Sequence, residues 1–129
     1  MELDYTVQTE KPYEQAVQAV IDAAQTHNFR VQFVHDVAET LAEKGFDREP
    51  VTIVEMCNAR YASEVLARDV KIGLMLPCPV MVYEQSGKVS ISTMKPSLIG
   101  AFFPEAQLTG IAAEVEAQIT AIVDEAAAE

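Results

Sequence analysis

Cys57 and Cys78 are the side chains of this sequence best equipped for chemistry. Cys57 directly precedes Asn58, a residue type suited to capping the N-terminus of a helix. A sulfur there feels the positive end of the helix dipole and nearby free N–H groups, both of which favour the thiolate. Burial at a strand end opposes that effect, and a partly buried position leads us to expect the dipole to prevail modestly. Cys78 lies between Pro77 and Pro79, which fix the backbone and remove N–H donors around its sulfur. One cysteine ends a predicted strand and the other begins one, so the two can meet at one edge of a sheet. Cys57, Asn58 and Cys78 are therefore the candidates for a redox, sulfur-carrying or soft-ligand site. The plainer reading makes both cysteines small packing residues.

Other chemistry is thin. His27 and His35 fall on different predicted elements, and no CxxC or HxxxH spacing accompanies them, so no metal site is expected. Glu114 and Glu116 cannot share a helical face, which leaves no paired carboxylates for acid–base work. The five glycines are scattered, so no phosphate-binding loop is present. Without a nucleophile and base in sight, the sequence leans away from catalysis and names no cofactor.

The elements that must position these residues follow from periodicity. Leu3, Tyr5 and Val7 alternate with polar residues, as in a half-buried strand. A helix follows Pro12, with Tyr13, Ala16, Val17, Val20, Ile21 and Ala24 in one stripe, and Asn28 suits its left-handed end. Phe29, Val31 and Phe33 predict a second strand. Asp36 then caps a short helix that stops at Gly45. Residues 50–57 read as a third strand. The helix capped by Asn58 should turn Ala62, Val65 and Leu66 inward. Pro77 and Pro79 keep the next strand from starting before about Val80. Val80 to Met94, with Ser86-Gly87 at its centre, is a clear hairpin, in which Val89 and Ile91 face one way and Ser90 and Ser92 the other. Leu98, Ile99, Phe102 and Phe103 fall in a Gly/Pro-bounded loop that is unusually apolar. The last helix begins near Pro104, with Leu108, Ile111, Ala112, Val115, Ile119, Ile122 and Val123 as its stripe. Strand, helix, four strands and helix, with small helices inserted, predict an α+β fold: an antiparallel sheet with its long helices on one face.

With 129 residues and 14.1 kDa, the chain fits a single domain over residues 1–129. Half the residues are apolar, enough for one core and far from a disordered composition. Twenty acidic against nine basic residues give a charge of −11, which repels nucleic acids and anionic membranes. Beyond Lys95 there are six acidic residues and no Lys or Arg. The near-apolar stretch from Ile72 to Tyr83 is too short to span a bilayer, and Met-Glu-Leu-Asp has no export-signal character. Two cysteines in such a chain predict reduced thiols in the cytoplasm.

The segment Val54-Glu-Met-Cys57-Asn58-Ala59, followed by Ile72-Gly-Leu-Met-Leu-Pro-Cys78-Pro-Val-Met-Val-Tyr-Glu84, resembles the domain-of-unknown-function family number 302. That family pairs a Cys-Asn at a helix start with a later Leu-Pro-Cys leading into a Val- and Tyr-rich strand, a hairpin and a Pro, here Pro96. The resemblance covers nearly the whole chain. Ala59 replaces a usual Pro, Pro79 an Asn that is often present, and Lys95 an Asp that commonly precedes the Pro. A polar ligand site at those positions is therefore not carried over. The resemblance implies one α+β domain, commonly a homodimer, with an element order similar to the TATA-binding-protein-like class. It implies no activity.

Three functions remain in play. The first in rank is a non-catalytic homodimeric module that holds a small ligand or partner in an apolar cleft. Leu98, Ile99, Phe102 and Phe103 would line that cleft or the dimer contact, because a loop this apolar needs somewhere to bury itself. The alternative is the thiol site of Cys57 and Cys78. The last is a purely structural protein.

Overall fold

The computed structural model of the chain describes residues 2–129. Alternating side chains build β1 (Asp4–Thr9), whose Tyr5, Val7 and Thr9 are half buried while their neighbours stay in solvent. Leu3 lies before this strand and is exposed, breaking the expected alternation at its first member. Next come α1 (Tyr13–Thr26), β2 (Arg30–Asp36) and the one-and-a-half-turn α2 (Val37–Ala42). Asn28 adopts the left-handed conformation, φ 62°, at the turn between α1 and β2. Asp36 caps α2 by accepting from the Glu39 N–H at 3.0 Å. After β3 (Val51–Cys57) come α3 (Ala59–Arg68), a 3-10 turn (Val70–Met75), β4 (Cys78–Gln85) and β5 (Lys88–Met94). The chain closes with α4 (Ser97–Phe102), a second 3-10 turn (Pro104–Ala106) and α5 (Thr109–Ala127).

All five strands form one antiparallel sheet in the order β1-β5-β4-β3-β2. The β4–β5 hairpin turns at Ser86 and Gly87, with φ of 53° and 79°, the left-handed pair that a two-residue turn of this twist demands. The long helices α1 and α5 pack side by side on one face. Ala16, Val20 and Ala24 of α1 and Ile119, Ile122 and Val123 of α5 meet Val54, Met56, Val80, Val82 and Ile91 of the central strands. All of these are completely buried, and each large aliphatic side chain so placed contributes about 1.5–3 kcal/mol. The whole predicted stripe of α5, from Leu108 to Val123, is buried.

Four local expectations are corrected. The strand β4 begins at Cys78, and Pro79 sits in the ladder opposite Glu55, its carbonyl accepting from Thr93 Oγ1 at 2.9 Å. The peptide between Leu76 and Pro77 is cis. Leu66 is exposed, because α3 rests on the rest of the molecule along a narrower stripe that includes Tyr61 and Val65. Residues 97–102 form a helix, α4, and not a loop. A 3-10 turn and the left-handed Gln107 intervene between Pro104 and the start of α5 at Thr109. Among the described residues, no helix is long and apolar enough to cross a membrane.

A candidate apolar cleft with two thiols

The strand β3 runs out at Cys57 and the chain turns directly into α3. Asn58 makes that turn possible: its side-chain oxygen accepts from the Tyr61 N–H at 3.1 Å, as an N-cap should. Its amide nitrogen donates to the Asn28 carbonyl at 3.2 Å, tying the start of α3 to the turn before β2. From there α3 leans away from the sheet, and a cleft opens between α3, the N-terminal half of α5 and the end of the sheet. Tyr61, Ala62 and Val65 form one wall; Leu108, Ile111, Ala112 and Val115 form the other. Phe29, Cys57 and Cys78 close the sheet end, while Leu76, Pro96 and Ile99 complete the lining. Counted out to its open mouth, this narrow cleft holds about 460 Å³. Its lining is almost wholly apolar, and Asn58, the one polar amide in it, is occupied at both ends.

Both sequence-selected thiols belong to this cleft. Neither is bridged, and the residue directly opposite Cys78 in the sheet is Met56, one position before Cys57. Burial pushes the Cys57 thiol above its ordinary value. Its one polar contact has the S–H donating to the Asn58 carbonyl at 3.8 Å, so the sulfur receives no N–H donor from α3. The direction is opposite to the one expected from the helix dipole, because desolvation outweighs it. Cys78 is shifted further, up to about 11, by burial and then by the neighbouring Cys57 charge. Burial thus disfavours the thiolate at both positions.

The apolar segment after β5 divides its four members. Leu98 is buried beneath α4, and Ile99 reaches the cleft. Phe103 packs on the edge of the core, beside a shallow depression that it shares with Phe102 and Asp69. Phe102 itself is 68% exposed and lies outside the cleft lining. Tyr61 is absent from the inner face expected of α3, and in the sequence Phe29 and the α5 wall mark only a strand and a helix stripe, not a site. The rim is polar. Arg60 stacks 4.6 Å above the Tyr61 ring and pairs with Glu64 at 3.0 Å and with Glu114 of α5 at 2.8 Å. Arg68 donates to the carbonyls of Ala106 and Gln107, holding the far end of α3 to the α4–α5 connection. Among the described residues, no group of three or more His, Cys, Asp or Glu side chains could hold a metal ion.

The same architecture exists in a solved structure. The crystal structure of an uncharacterized conserved protein DUF302 from Bacillus stearothermophilus matches this chain with a TM-score of 0.92 and 29% sequence identity, covering 98% of this chain and 99% of that one. The family model for the domain of unknown function DUF302 matches residues 5–126. The chain belongs to the DUF302 family. That family assignment spans every element from β1 to α5, so the cleft lies wholly within the DUF302 domain. None of the proteins with curated descriptions matches the chain.

Proposed function

We propose that this DUF302 protein is a non-catalytic binding module whose cleft receives the apolar end of a small molecule. The observation that carries this reading is the cleft itself: an open, hydrocarbon-lined groove beside the core, whose sole amide is already bonded. Its narrowness suits a slender occupant, a chain or the edge of a flat ring. The test is fluorescence titration of the full chain with the neutral dye N-phenyl-1-naphthylamine. Saturable binding is expected, and Ala62→Phe, which fills the cleft from its outer wall, should abolish it while leaving the circular dichroism unchanged. Undiminished binding to that variant would refute the reading.

A specific surface also favours pairing of two copies. The sheet face away from α1 and α5 is touched by α2 at His35, and elsewhere on it Leu3, Ile53, Pro79 and Met81 line an open apolar depression. We propose the homodimer contact there, in preference to the α4 segment, where Phe102 is the one large apolar side chain that is widely exposed. Met81→Glu should shift a sedimenting dimer to monomer at micromolar concentration; a wild-type monomer at that concentration overturns the pairing. Two unbridged thiols suit the reducing cytoplasm, and the charge of −11 argues against nucleic acids and anionic membranes as partners.

A further inference from the structure

We infer that the cleft selects an uncharged ligand and rejects a carboxylate-headed one of the same length, with Arg60 neutralised at the rim as the specificity device. The inference rests on the binding reading above and names the chemistry of the occupant. Inside the cleft no side chain stands ready to receive a charge. Both functions of the Asn58 amide are used, the Cys57 thiol donates to a backbone carbonyl, and the remaining lining side chains are hydrocarbon, the second thiol and the Tyr61 ring. Among the described residues no buried side-chain polar atom lacks a partner, so no hidden side-chain donor waits for a ligand. Cys78 reports on the same environment: the desolvation that holds its thiol protonated up to about 11 opposes any other anion placed beside it.

The rim is the second filter. An amphiphilic anion would seek a cation at the mouth, and the one that spans the two walls is Arg60. Its guanidinium is held by two carboxylates, Glu64 on its own helix and Glu114 on α5. The α4 and α5 side offers no alternative, since residues 96–129 contain no Lys or Arg while Glu105, Glu114 and Glu116 stand there. On α3, Arg68 is engaged with the Ala106 and Gln107 carbonyls. An incoming carboxylate thus meets a compensated cation within a chain of net charge −11. A neutral head, such as a hydroxyl, loses nothing by comparison.

The experiment is displacement of N-phenyl-1-naphthylamine from the full chain by octan-1-ol and by octanoate at pH 7.5. Octanol should compete about tenfold or more better than octanoate, as expected for an anion in an uncompensated apolar site. Glu114→Gln, which frees one side of Arg60, should narrow the octanol-to-octanoate ratio severalfold. Glu64→Gln, on the exposed helix surface, does the same if the first variant fails to fold. Equal competition by the two compounds overturns the inference while leaving the cleft reading intact. Failure of both compounds together with the dye overturns the cleft reading and the inference with it. An unchanged ratio in the folded Glu variants removes Arg60 from the argument.

Discussion

On the helix side of the sheet, Val54, Val80, Val82 and Ile91 are sealed completely from solvent. On the other side, the same strands line up His35, Ile53, Met81, Ser92 and Thr6 in one cross-strand row, which neither α1 nor α5 covers and which only the short α2 touches, at His35 through Thr40. The open row mixes polar His35, Ser92 and Thr6 with apolar Ile53 and Met81. Ile53 and Met81 are as apolar as their sealed neighbours, yet both remain half exposed, and Phe33 on that face is 56% exposed. An apolar residue in an alternating strand is therefore not by itself a core residue; α1 and α5 decide which face becomes the core. The cleft belongs to the covered side, at the end where α3 leans away and cover is incomplete.

The sharpest way to break this contrast is a matched pair of truncations. Ile91→Ala should cost about 2–4 kcal/mol in urea unfolding through transfer and cavity terms, whereas Ile53→Ala should cost about 1 kcal/mol or less in the monomer. Equal costs at low protein concentration would mean that the open face is covered after all. The second effect is one of pH. Cys78 rises from an ordinary value near 9 to about 11 in the folded state, so folding favours its protonated form. That contribution is complete below about pH 9 and is lost as pH climbs through about 11, with an upper size of about 2–3 kcal/mol. Cys78→Ala should remove this alkaline slope, and in the wild type Cys57 should alkylate faster than Cys78. Retention of the slope in the variant would assign it to other groups, such as the tyrosines.

Asn58→Ala should cost about 1 kcal/mol by stripping the cap of α3. The same change should raise dye binding only slightly if the Asn28 tether is minor, and a lost melting transition would show that the tether holds the whole cleft wall. The smallest effect belongs to the hairpin tip. There the Ser86 N–H donates to Glu49 at 3.0 Å in full exposure, so Glu49→Ala should change stability by about 0.5 kcal/mol or less. A larger loss would show that the tip is braced against the β2–β3 connection.

What the sequence reveals divides along similar lines. The hairpin and the Asp36 and Asn58 caps are legible because turn and cap chemistry is settled within three or four residues. The α5 stripe is legible because its period is long and unbroken. The α4 helix is not, since Pro96, Gly100 and Pro104 read as loop punctuation. Its six residues are helical through tertiary support: Leu98 beneath, Ile99 in the cleft, and the Ser97 N–H given to Glu116 at 3.2 Å. For the site, Cys57, Asn58, Cys78 and Ile99 were within reach, whereas the α5 wall was not. Ala112 and Tyr61 are about fifty positions apart, and only the docking of α3 against α5 makes them neighbours. The sign of the Cys57 shift escaped for the same reason: burial is a property of the assembled molecule.

The pairing of β1 with β5 places Asp4 opposite Met94, and Tyr5 reaches on to Asp124. Thr9 and Lys11 likewise donate to the Ala127 and Ala126 carbonyls, at 2.9 and 2.8 Å. During synthesis the first strand therefore waits for a partner made some eighty residues later, and for a helix made later still. Local closure of the β4–β5 hairpin costs little loop entropy, while recruitment of β1 requires the longest loop in the fold. The edge strand is thus the natural final addition to the sheet. Until it docks, β5 presents an open hydrogen-bonding edge, and the rate of that one closure sets how long the nascent chain is exposed to pairing with its neighbours.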